Sequence, residues 1–116
     1  MVIDTNQLSV TETEAPRGGN GVVRTRTILS ECHPGSPLAG LVVNRLAPGS
    51  SIGIHPHHGE EDFYFCLSGT GVVHDNGVDR PFYPGVFQIT RSGETQGLRN
   101  TGSEDLVFLG GLVKTS

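Results

Sequence analysis

The sequence predicts an all-β barrel or sandwich built as one domain, and three observations point there. The chain has 116 residues, a length that suits a single domain, and it holds 17 Gly and 7 Pro. Those residues serve helix interiors worst and tight turns best. Apolar residues recur with a period of two almost throughout, the period of half-buried strands. Turn signals fall about every 8–12 residues, as in sandwiches and barrels. Only 34% of the residues are apolar and none is Trp. A chain of this size still buries roughly two-thirds of its unfolded surface, enough for a core without cross-links.

Taken in order, residues 1–20 read as an N-terminal arm and 21–116 as the barrel domain. The arm is polar and has no 3.6-residue repeat. Thr and Glu alternate from Thr11 to Glu14, and a short strand is expected near Leu8-Ser9-Val10. Arg17-Gly18-Gly19-Asn20-Gly21 reads as a flexible hinge; a glycine run cradles phosphate only between a strand and a helix, and no helix follows. Val22 to Leu29 alternates and is rich in β-branched residues, so it reads as a strand. Glu31 to Pro37 is a loop, and Leu41 to Leu46 is a strand stopped by Pro48-Gly49. Ser51 to His57, Phe63 to Leu67 and Gly71 to His74 follow as strands. Asp75-Asn76-Gly77 is a hairpin, because Asn-Gly favours the type I′ turn. Phe82-Tyr83 is a short strand broken by Pro81 and Pro84, and Val86 to Thr90 runs to a turn at Ser92-Gly93. Gln96 to Asn100 and Leu106 to Val113 complete the strands of a barrel or sandwich.

Charge and composition remove several functions. The net charge is −4 and no face is marked out as basic, so no nucleic-acid partner is expected. No stretch approaches the ~18 consecutive apolar residues of a membrane helix. Met1-Val2-Ile3-Asp4 has neither the basic nor the apolar region of a secretory signal, which predicts a cytoplasmic protein. Cys32 and Cys66 form no CxxC pair and are expected as free thiols.

One segment concentrates chemistry: His55-Pro56-His57-His58-Gly59-Glu60-Glu61-Asp62. Two His at i and i+2 of a strand share a face, so together they can chelate one metal ion. Imidazole suits Zn, Fe, Ni and Cu, and a carboxylate beside it widens the choice to Mn. The competing reading is a solvated acidic turn in which the His are incidental. Alternation places Asp62, Tyr64 and Cys66 on one face and Phe63, Phe65 and Leu67 on the other. Asp62 is favoured over Glu61 as the carboxylate ligand. His58 alternates away from His57 and is read as surface, and His33 and His74 as structural or exposed. Tyr64 and either Arg45 or its neighbour Asn44 are expected to reach a pocket; an inward Arg would clamp an anion.

These residues resemble the two motifs of the cupins. Gly49, His55-x-His57, Asp62 and Gly69 match the first in register, and Gly85, Ser92-Gly93, Gln96 and Asn100 match the second. The resemblance spans about residues 20 to 114 and implies a double-stranded β-helix (a jelly-roll barrel), usually a homodimer. It also implies a metal site, with four departures. Where the family usually has Glu, a second-motif His and Pro, this chain has Asp62, Gln96 and Arg91, and Val86 stands where Asp is frequent. The implied ligands are therefore His55, His57, Asp62 and Gln96, holding a divalent transition metal (Fe, Mn, Ni or Zn). The expected function is binding of, or action on, a small oxygenated molecule such as an organic acid or carbohydrate, with no reaction class chosen. Two alternatives stand beside it: a metal-free ligand-binding or sensing module, and a structural dimer with a relic site.

Overall fold

Two antiparallel sheets, formed by strands that alternate between them, enclose the interior. The computed structural model describes residues 1–30 and 35–115. Its strands are β1 (Thr11–Glu14), β2 (Val22–Ser30), β3 (Leu38–Leu46), β4 (Ser51–Pro56), β5 (Glu60–Ser68), β6 (Gly71–Asp75), β7 (Val78–Phe82), β8 (Phe87–Thr90), β9 (Thr95–Asn100) and β10 (Leu106–Lys114). One sheet has the order β1-β2-β3-β10-β5-β8, the other β4-β9-β6-β7. From β3 the chain crosses to β4, back to β5, over to the β6–β7 hairpin, back to β8, over to β9 and back to β10. This traffic is that of a double-stranded β-helix, as expected. Among the described residues no helix is long and apolar enough to cross a membrane.

The core follows from period-two alternation. Leu46, Val73, Phe82, Leu98, Leu106 and Phe108 are buried, each drawn from the inward parity of its strand. Tyr64, Phe82 and Phe108 pack edge to face, Tyr64 lying 5.0 Å and Phe82 6.2 Å from Phe108 between ring centroids, the geometry aromatic quadrupoles favour. Asn76 and Gly77 turn the β6–β7 hairpin with φ of 43° and 92°, the left-handed pair a type I′ turn requires.

Three expectations about the chain's course need correction. No strand forms at Leu8–Val10; it forms at Thr11–Glu14, which pairs with β2 in the register Thr11↔Thr25. All four residues of β1 are exposed, so backbone pairing at the sheet edge holds it, not an apolar face. The segment after it is no hinge. The Asn20 and Ser51 backbones exchange hydrogen bonds of 3.2 and 2.8 Å. A Cβ on Gly19 would collide with the Ser51 carbonyl, and one on Gly53 with the Arg17 carbonyl. Two glycines thus let the Pro16–Gly18 turn dock on β4. Finally, Val78–Phe82 is continuous through Pro81, tolerated because β7 is an edge strand. Cys32 and His33 lie outside the described residues; Cys66 is a free, buried thiol, and burial pushes its pKa up.

Candidate functional site

The site is assembled where β4 and β9 pair on one sheet and β5 faces them from the other. The register His55↔Gln96 sets the two side by side. Just past β4, His57 is clamped by the β8–β9 turn: its N–H donates to Glu94 O (3.2 Å) and its carbonyl accepts from Gly93 N–H (2.7 Å). His55, His57 and Gln96 are all buried, Gln96 completely.

Each histidine is held from behind. His55 Nδ1 lies 2.7 Å from the Gly53 carbonyl; a carbonyl only accepts, so Nδ1 donates and Nε2 keeps a free lone pair. Burial pushes the His55 pKa below its usual value, against the Gly53 hydrogen bond, with Arg17 and His57 adding to the fall. His57 Nδ1 lies 3.0 Å from Glu60 Oε1. On its other side, His57 Nε2 lies 3.0 Å from Gln96 Oε1 and 3.7 Å from Asp62 Oδ2. The two rings are 4.9 Å apart and steeply inclined.

Asp62 points inward from β5, and burial pushes its carboxyl up to about 6, against the pull of His57 and a hydrogen bond from Gln96. Glu61 faces the other way, 3.8 Å from Arg91. Asp62, Tyr64, His55, Asn44 and Arg17 line one cavity of about 410 Å³, within the range of small-molecule sites. Arg45 does not enter it. Strand parity sends Asn44 inward and Arg45 outward, into a shallow recess with Arg24 and Arg26, so of the two neighbours Asn44 reaches the cavity and Arg45 is not an inward anion clamp. His58 is exposed, and His74 bonds Asp79 at 3.1 Å on the surface. Three participants escaped sequence reasoning: Arg17, carried to the cavity by the docked turn; Glu60, behind His57; and Gln88, which accepts from Gln96 Nε2 at 2.8 Å.

Among the described residues no three His, Cys, Asp or Glu side chains form a metal-binding group by themselves. The donor set fits a cation once the Gln96 amide oxygen is counted. His57 has acceptors at both nitrogens. A metal ion bound at Nε2 would therefore have the facing oxygens of Gln96 and Asp62 within reach. A ring nitrogen backed by a carboxylate or a carbonyl is also how proteins orient metal-binding histidines, and both rings here are so backed.

Comparison with known proteins decides the family: the cupin domain model matches residues 42–110. This chain belongs to the cupins. The cupin is 37% identical over 113 residues to an oxalate-binding protein of Thermotoga maritima, covering 97% of this chain and 93% of that one. It is also 37% identical to a crystal structure described as a predicted oxalate decarboxylase of Thermotoga maritima, with a TM-score of 0.94 over 98% of this chain and 99% of the other. The cupin domain of Schizosaccharomyces pombe Cnp3 shares the fold at 14% identity, with a TM-score of 0.73 over 91% of this chain and 69% of that one.

Proposed function

We propose that this cupin binds a small dicarboxylic acid of the oxalate type at a divalent metal ion held by His55, His57, Asp62 and Gln96. The observation that carries the reading is the convergence of His57 Nε2, Gln96 Oε1 and Asp62 Oδ2 beside a cavity bordered by His55 and Arg17. The similarity to an oxalate-binding protein supports the ligand class. When bound, the ion supplies a Lewis acid with open positions for ligand oxygens. Two imidazoles with two oxygen donors suit Fe or Mn, with Ni and Zn also accommodated. The chain's own groups do the rest. Arg17 places a guanidinium, a fork matched to carboxylates, at the cavity wall. Burial holds the Tyr64 hydroxyl protonated by pushing its pKa up, so it can donate to an anion.

Metal binding is expected to weaken as pH falls through about 6. A ligand must lose its proton before it binds. Burial already favours neutral His55, and it raises the Asp62 carboxyl into this range. Below its pKa Asp62 is protonated and competes with the ion; above it the carboxylate is free. Calorimetric titration with Mn²⁺ across this range checks the sign, and an affinity that does not change with pH contradicts it.

Ligand and metal can be separated by filling the cavity. Gly40 borders it, and a Cβ there meets only ordinary contacts at 3.8 Å. Gly40→Val should weaken oxalate binding about tenfold or more, by taking space and a share of the contacts, with Mn²⁺ affinity unchanged. Paired titrations with Mn²⁺ and with oxalate test this.

The proposal includes a homodimer through the outer face of the larger sheet. There Phe63 and Phe87 stack at 5.6 Å, and Leu67 and Phe87 are 47% and 55% exposed, a contiguous apolar patch of the kind that marks association sites. Sedimentation at micromolar concentration should give twice the 12.3 kDa chain mass; a monomer contradicts the dimer.

A further inference from the structure

We infer that Asp75 and Gln88 are positioning residues that force the Gln96 carboxamide to present its oxygen, and not its nitrogen, to the His57 side of the site. The inference rests on the reading that Gln96 is a ligand, and it concerns what makes a neutral amide serve where an imidazole is usual. Three side chains from three strands link the two sheets, with Gln88 of β8 bridging Asp75 and Gln96 of the paired strands β6 and β9. Gln88 Nε2 lies 3.2 Å from Asp75 Oδ1 and 2.7 Å from Thr90 Oγ1. Gln88 Oε1 lies 2.8 Å from Gln96 Nε2, and Gln96 Oε1 lies 3.0 Å from His57 Nε2.

An amide can be turned end for end with little change of shape, so the partners decide its direction. The Thr90 hydroxyl both donates and accepts and decides nothing. The Asp75 carboxylate only accepts, so Gln88 must turn its nitrogen to it. That leaves Gln88 Oε1 toward Gln96, which must then offer its own nitrogen. Reversing Gln96 alone would set two amide oxygens against each other at a 2.8 Å separation. Through Gln88, the Asp75 carboxylate thus demands the Gln96 nitrogen, and the oxygen is the end left for the site. Gln88 and Gln96 are buried, where an unmatched polar contact is not relieved by water. The relay's direction is set from Asp75, which pairs with Gln96 across β6 and β9 and reaches its carboxamide through Gln88.

The test uses the full chain and Mn²⁺ alone as probe. Gln88→Met keeps the length of the side chain and removes its acceptor. Asp75→Asn keeps the shape and allows the relay to run either way. Each should weaken Mn²⁺ binding about tenfold, the lower end of what the supports behind a metal ligand contribute. In a Gln96→Ala background the same changes should shift affinity by less than about twofold, since nothing is left to orient. An equal loss in both backgrounds would mean that Asp75 and Gln88 act only on the fold, and would overturn the inference. The direction is also read without metal. In nuclear Overhauser spectra of the metal-free protein, the Gln96 carboxamide protons should give strong cross-peaks to the Gln88 side chain and weak ones to the His57 ring. The reverse pattern would overturn the inference whatever the metal does. A wild-type protein that binds no Mn²⁺ would instead sink the functional reading, and the cross-peaks would still decide the relay.

Discussion

His57→Ala should abolish tight Mn²⁺ binding, and His55→Ala should do nearly the same, each costing about 100-fold or more, since even a residue behind a ligand contributes 10- to 100-fold. Each change leaves a single nitrogen donor. His57→Ala does more damage, because its ring joins Glu60 to Gln96 and its loss leaves the Gln96 oxygen buried without a partner. His55 stands slightly apart, supported by a hydrogen bond to the Gly53 carbonyl. The ordering of the two losses is therefore part of the expectation. Calorimetry on both variants, with circular dichroism to confirm the β-barrel, measures it; Mn²⁺ affinity unchanged in either variant would remove that histidine from the site.

Gln96→His should act in the other direction and raise affinity for Fe, Ni or Zn by about 10- to 100-fold, because imidazole is a stronger donor to these ions than an amide oxygen. The surroundings can accept the ring. Gln88 Oε1, which now accepts from Gln96 Nε2, would accept from the new ring's N–H and leave the other nitrogen for the metal. For Mn²⁺, which prefers oxygen, the gain should be smaller, so the substitution changes selectivity as well as strength. If affinity is unchanged for every metal while oxalate binding shifts, Gln96 touches the ligand and not the ion.

How much of this could be read from the sequence depended on whether one strand or several set the feature. The His55/His57 pair needs only β4 and the residue after it, since period two puts i and i+2 on one face. Asp62, Tyr64 and Cys66 follow by the same parity on β5, and the family motifs add Gln96 on β9. The Asn44 or Arg45 choice was not decidable locally. Either parity of β3 was acceptable until pairing with β10 set Asn44 against the buried Phe108. Arg17 was further from reach. It enters the cavity only because two glycines distant in sequence, Gly19 and Gly53, let its turn approach β4. Glu60 sits in the same acidic run as Asp62, and only the turn after β4 aims it behind His57. Gln88 carries no motif at all; its role exists in a side-chain network between strands.

If ligand binding runs through a metal ion, a titration of oxalate into chelator-stripped and Mn²⁺-loaded protein should give a binding isotherm with the loaded protein and none with the stripped one, restored by adding Mn²⁺ back. Equal oxalate affinity in the two forms would contradict it and assign the cavity, with Arg17 and Tyr64, to a metal-free binding module.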